Sequence, residues 1–170
     1  MYEEIEGWLS QEEGEALRNY ARGGICLEIG SFHGKSSAWM AESAKLLYCV
    51  DTFKADGSGQ NQLSDYETLA PFLANIKQYS NIIPILGASS VVVPTFADNF
   101  FDFIFIDAMH DYESVLMDIQ LAFSKLRAGG KMAFHDYGET CGWDGVLNAV
   151  NEKFGKPDFI HGCVAFVIKK

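Results

Sequence analysis

Ile25-Cys26-Leu27-Glu28-Ile29-Gly30-Ser31-Phe32-His33-Gly34-Lys35-Ser36-Ser37 is the stretch that decides the fold. Its first five residues are apolar but for one acid, the length of a buried strand and too short for a helix. A loop bracketed by Gly30 and Gly34 follows, and a helical pattern then runs through Lys45. Upstream, Ser10-Gln11-Glu12-Glu13 reads as a capping box, with Ser at the cap and Glu three residues later. It predicts a helix from about Gln11 to Arg22, stopped by Gly23-Gly24. Downstream, Leu46–Val50 is a second apolar strand ending at Asp51.

The same alternation continues to the end of the chain. Leu69, Phe72, Leu73 and Ile76 have helical spacing, with Pro71 in the first turn. Ile82–Leu86 reads as a strand, and Pro84 places it at a sheet edge. Gly87-Ala88-Ser89-Ser90 opens a short helical stretch. Phe100–Ile106 is a buried strand ending at Asp107, and Val115, Ile119, Ala122, Phe123 and Leu126 share one helix face. Ala128-Gly129-Gly130 reads as a turn and Lys131–Phe134 as a strand ending at His135-Asp136. A helix from about Trp143 to Phe154 precedes a hairpin of Phe159-Ile160 with Cys163–Ile168. Strand–helix repetition with continuously apolar strands predicts an α/β doubly wound parallel sheet with helices on both faces. Residues 1–170 read as a single domain, with an N-terminal helical extension over 1–23. The polar, Gly-rich residues 53–64 are long enough to form a lid.

Composition narrows the function. The chain has 170 residues, 48% of them apolar, which is globular composition and excludes overall disorder. Thirteen basic against twenty-three acidic residues give a net charge of −10, so nucleic acid is not an expected partner. The longest apolar candidate, Phe100–Met109, is cut by Asp102 and Asp107, so no membrane span is expected. The start is acidic and lacks the pattern of a secretory leader, and the four cysteines show no C-x-x-C spacing. Cys26 and Cys49 lie in apolar runs as small buried hydrophobes. The expectation is a cytoplasmic protein.

In open α/β sheets ligands bind at the carboxyl ends of the strands, where the strand order reverses. Those ends carry Glu28 and Gly30, then Asp51, then Gly87, Ala88 and Ser89, then Asp107 and His110, then His135 and Asp136. Acids there also cap helices, which is the competing use of each. Gly30–Ser37 resembles a phosphate loop, and Phe101–Asp107 the apolar strand whose acid holds magnesium beside one. That reading makes the chain a nucleotide phosphohydrolase or kinase, but the loop is one residue short and Glu28 and Asp51 repel an anion. The other reading is a nucleoside ligand without phosphate. Asp51 follows Gly30 at the spacing at which a carboxylate meets ribose hydroxyls, and a cationic ligand suits the acidic crevice. A non-catalytic nucleoside-binding domain is the third alternative.

Taken together, these residues resemble the class I S-adenosylmethionine-dependent methyltransferases. Leu27–Gly34 is similar to the family's acidic strand end and Gly-rich loop, Asp51 to the acid after strand two, and the strand ending in Asp107 to its fourth motif. Arg127-Ala128-Gly129-Gly130 resembles the turn before strand five, with Ala for Pro. The resemblance implies a Rossmann-like sheet of about seven strands in the order 3-2-1-4-5-7-6, strand seven antiparallel. Ile106–Glu113 and Phe134–Tyr137 are similar to a small branch that includes sugar O-methyltransferases, whose members hold a divalent metal at the ends of strands four and five. It implies methyl transfer to a hydroxyl of a sugar or other small-molecule acceptor, assisted by magnesium. The chain lacks the extra segments of larger relatives, so the site is either open or closed by a second subunit, as in a homodimer.

The implied roles follow residue by residue. Glu28 holds the loop or the amino group of the methionine moiety, Gly30 and Gly34 permit close packing, and Ser31, Ser36 and Thr52 complete the cofactor-binding set. Asp51 accepts hydrogen bonds from the ribose diol. Ala88 and Ser89 border adenine, and Asp107 orients the sulfonium or binds metal. His110 is the expected general base. Asp107, Asp136 and His135 are the expected metal ligands, with His135 alternatively a base. Trp143 walls the acceptor pocket or begins a core-facing helix.

Overall fold

β1 (Ile25–Ile29) is the centre of the sheet. β2 (Leu46–Asp51) pairs parallel on one side and β4 (Phe101–Ile106) parallel on the other, so strand order reverses here. β3 (Ile82–Leu86) adds outside β2, and Pro84 sits on that edge strand as expected. β5 (Leu126–Phe134) joins β4 in parallel, and β7 (Val164–Ile168) joins β5 antiparallel, with β6 (Phe159–His161) at the far edge. The order β3-β2-β1-β4-β5-β7-β6 is the one anticipated. This computed structural model describes residues 2, 4–54 and 67–170; residues 55–64 of the anticipated lid lie outside them.

Helices α1 (Gln11–Ala21), α2 (Lys35–Ala41) and α3 (Leu69–Ile76) cover one face, and α4 (Ser89–Val92), α5 (Tyr112–Phe123) and α6 (Asp144–Phe154) the other. The two faces follow from strand alternation. Phe103 and Phe105 pack toward α1 and α2, while Ile104 and Ile106 pack toward α5 and α6. All but Ile106 are completely buried, each contributing about 1.5–3 kcal/mol by area removed from water.

Two elements differ from the sequence reading. α2 ends at Ala41 rather than running through Lys45, because the chain turns there to feed β2. Lys45 N donates to Gly24 O, and the Asn81 amide donates to the carbonyls of Ala41 and Ala44. β5 begins at Leu126, so Ala128-Gly129-Gly130 is not a turn ahead of the strand but an irregularity within it. The register shifts between Phe101 and Phe103, Gly129 has φ +72°, and Gly129 and Gly130 exchange hydrogen bonds with Lys169.

Candidate functional site

The reversal of strand order opens a crevice of about 960 Å³ along the carboxyl ends of the strands. On the β1–β2–β3 side it is lined by Gly30, Ser31, Phe32, Ser36, Asp51, Thr52, Ala88 and Ser89, and on the other side by Asp107, His110, His135, Asp136 and Trp143. Glu28 and Gly34, anticipated with them, are not in the lining.

Alternation along β1 turns Glu28 away from the crevice and under α2. It is fully buried, and the hydroxyls of Ser31 (2.7 Å), Ser36 (2.5 Å) and Ser37 donate to it. Burial pushes its carboxyl up, while the three serines and Cys49 oppose that shift. Glu28 therefore holds the loop. Gly34, the cap of α2 at φ +86°, faces Phe72 and Ile76 of α3.

Asp51 organises the loop from the other side. Its Oδ2 accepts from Ser31 N (2.7 Å) and Phe32 N (2.9 Å), and its Oδ1 from Phe53 N (2.6 Å). An ionised carboxylate offers about four acceptor sites, so these three leave room for a ligand hydroxyl. The same contacts weigh against the phosphate-loop reading. The loop amides that would cradle a phosphate are given to an acid, and Lys35 Nζ donates to Gly7 O (3.0 Å), fastening the N-terminal segment over the loop.

Across the crevice, His110 Nε2 stands 2.9 Å from Asp136 Oδ2 and 3.9 Å from Asp107 Oδ1. These acids raise His110 to about 9, Asp107 first and then Asp136, against the opposing effect of burial. Asp136, penalised by burial, is nonetheless held below the carboxylate range by its two histidines. Asp107, His110 and Asp136 each present a ligand atom, all within 4.8 Å of one another. His135 does not enter that trio. It is only 6% exposed; its Nδ1 lies 3.0 Å from Asp136 Oδ2, and its Nε2 points the other way, 3.8 Å from Glu13 Oε2. Although burial opposes it, contact with Asp136, Glu13 and Asp107 raises His135 to about 10.

Glu13, Asp118 and the disulfide are contributions that the sequence reading missed. Glu13 completes the anticipated capping box, accepting from Ser10 N at 2.7 Å and Ser10 Oγ at 2.8 Å. Its other oxygen accepts from Cys163 N at 2.6 Å. Burial acts upward on Glu13, yet His135, Cys163 and Ser10 bring it down to about 2. A carboxyl lowered in the folded state contributes stability above its unfolded value near 4.5, lost as pH falls toward 2. Glu13→Gln should cost about 2 kcal/mol at neutral pH. It should also flatten the decline in stability between pH 4.5 and 2, measured by urea unfolding across that range. Equal slopes in both proteins would remove Glu13 from the acid response.

Asp118 of α5, buried and pushed up by that burial, accepts from Ser89 Oγ (2.5 Å) and holds the start of α4 at the crevice. Cys141 and Cys163 form a disulfide, although nothing in their spacing marked them as a pair, while Cys26 and Cys49 are buried thiols as expected. Trp143 stacks on His110, ring centroids 4.7 Å apart, and is half exposed at the lip.

A methyltransferase-domain family model matches residues 27–137, more than half of the chain. The chain belongs to this methyltransferase-domain family. Its sheet is that of the class I S-adenosylmethionine-dependent methyltransferases, and the match spans Asp51 and the Asp107–His110–Asp136 trio. An uncharacterized protein of Acanthamoeba polyphaga mimivirus is 29% identical over 134 residues, covering 74% of this chain. The match spans 57% of that relative's length. Among solved structures, an O-methyltransferase from Bacillus cereus in complex with S-adenosylhomocysteine superposes with a TM-score of 0.68 at 17% identity, covering 95% of this chain and 83% of that one. A protein from Corynebacterium glutamicum gives 0.71 at 14% identity, covering 96% and 82%. At these identities the likeness is one of fold. Among the described residues no helix is long and apolar enough to cross a membrane.

Proposed function

We propose that this chain is an S-adenosylmethionine-dependent methyltransferase that methylates a hydroxyl of a small molecule such as a sugar, with a divalent cation held at Asp107, His110 and Asp136. The observation that carries the reading is one crevice at the strand-order reversal, with Asp51 and the loop amides on one side and a carboxylate–imidazole trio on the other. Family membership and the S-adenosylhomocysteine in the B. cereus structure support it.

S-adenosylmethionine, when bound, would supply a methyl group on a cationic sulfur for an acceptor oxygen. Asp51 holds a ribose hydroxyl, Gly30 and Ser31 the nucleoside wall, and Ala88 and Ser89 the adenine edge. The trio presents two carboxylates and one imidazole, a donor set for a hard or borderline divalent ion such as magnesium or manganese. Held there, such an ion would lower the pKa of an acceptor hydroxyl and orient it. The acids beside it hold His110 protonated in the cation-free protein, so a divalent ion would displace that proton on binding. Rigid strand ends supply the alignment, worth on the order of 7–11 kcal/mol at best.

Calorimetric titration with S-adenosylhomocysteine, and with ATP–magnesium as the control, tests the cofactor. Micromolar binding of the first alone supports the reading, and the reverse result overturns it. Manganese titration tests the cation: one site is expected in the native chain, weakened about a hundredfold in Asp136→Asn. Identical isotherms would remove the cation from the proposal.

A further inference from the structure

The Cys141–Cys163 disulfide joins two segments that are unequally tied by backbone hydrogen bonds at the acceptor side of the crevice. Cys163, in the turn between β6 and β7, is anchored on both sides: its amide donates to buried Glu13 of α1 and its carbonyl accepts from Tyr137 N just past β5 (2.9 Å). Cys141 sits on the turn between β5 and α6, where Gly138 and Gly142 have φ of +138° and +95°. Among the described residues its own backbone tie is a single turn bond, Cys141 N to Gly138 O. The turn leads directly to Trp143, whose ring lies on His110, and Cys141 itself lines the crevice. Both bridged cysteines are partly exposed, whereas the free Cys26 and Cys49 are fully buried. A thiol from solution therefore has one cystine to meet and no neighbouring free thiol to scramble it.

We propose that Cys141–Cys163 is an exchangeable redox clasp: a dithiol reductant opens it and releases the Trp143 wall over His110, leaving the Asp51 side of the crevice intact. The terms acceptor side and nucleoside side rest on the methyltransferase reading; the clasp itself rests on the disulfide and the turn. One thiolate of the reductant attacks Cys141 Sγ, forming a mixed disulfide as the Cys141–Cys163 bond breaks, and Cys163 leaves as a thiolate that takes up a proton. The reductant's second thiol then closes its own disulfide and releases Cys141. Two electrons pass to the cystine, and the dithiol is oxidised. The nucleoside side keeps its geometry because Asp51, Ser31 and Phe32 are tied by bonds among β1, β2 and their loop, none of which involves the clasp. Disulfides that form in a reducing compartment are typically transient and redox-responsive.

The test compares the native chain before and after dithiothreitol. Alkylation and mass spectrometry should find Cys141 and Cys163 newly labelled, with Cys26 and Cys49 protected. Amide hydrogen exchange over residues 138–145 should then accelerate about tenfold, while S-adenosylhomocysteine affinity stays within about twofold. Cys141→Ser should show the fast exchange without reductant; if that variant does not fold, the native pair of states decides. Cysteines that resist reduction until the chain unfolds overturn the clasp, as does unchanged exchange in a fully reduced, folded chain. Failure of both states to bind S-adenosylhomocysteine overturns the methyltransferase reading instead, and the exchange rates still decide the clasp.

Discussion

Asp51→Ala is expected to weaken S-adenosylhomocysteine binding about a hundredfold, or about 2.7 kcal/mol. Two losses add. The ligand loses its ribose acceptor, and the loop loses the carboxylate that gathers Ser31 N, Phe32 N and Phe53 N. Hydrogen bonds to a charged acceptor contribute about 1.5–3 kcal/mol each, and part of that returns as disorder of the loop in the variant. Asp51→Asn should fall between, because one oxygen still accepts from Ser31 and Phe32 while the new amide group meets the Phe53 N–H as donor against donor. Calorimetry on folded proteins measures all three. Native affinity in Asp51→Ala would move the nucleoside out of this half of the crevice.

The second large effect concerns the backbone. Gly30→Ala should destabilise the fold by about 3–4 kcal/mol, the sum of about 1 for a left-handed residue and up to about 3 for overpacking. At φ +87° the new Cβ would stand 2.1 Å from Asp107 O and 2.7 Å from Ala108 Cα, both main-chain atoms. Neither side can retreat freely, since Asp107 N donates to Ile29 O and Gly30 N to Val50 O, both at 2.9 Å. For a chain of this size the loss corresponds to a fall of roughly 10 °C in Tm. Gly129→Ala is the matched control. It has φ +72° but nothing within 4 Å of its Cβ, so it should cost only about 1 kcal/mol. Equal melting temperatures for the two variants would refute the crowding argument.

These two residues also show how far the site was legible. Gly30 was expected to permit close packing, and what packs against it is the backbone just past β4, at Asp107 and Ala108. Asp51 was expected to accept hydrogen bonds from the ribose diol, and three chain amides already donate to it. Glu28 was placed correctly at a strand end, yet its side chain lies under α2, because adjacent positions on a strand point to opposite faces. His110 was expected as the general base and His135 as a metal ligand or alternative base. The structure sets His110 between Asp107 and Asp136, and His135, largely buried at the crevice wall, between Asp136 and Glu13.

What the amino-acid order determined unaided was the alternation of strands and helices and the gathering of acids and histidines at strand ends. Both are local: apolar runs of strand length and helical spacing of apolar residues show themselves within a few positions. What only the tertiary structure decided is how those polar groups are shared between the protein and the crevice. Glu13 reads locally as a helix cap, and its second oxygen is claimed by an amide 150 residues away. Cys141 and Cys163 become partners only because the β6–β7 hairpin returns beside β5. Hydrogen-bond and disulfide partners are set by which chain segments return to the same place, and that return leaves no mark in the neighbouring residues of either partner.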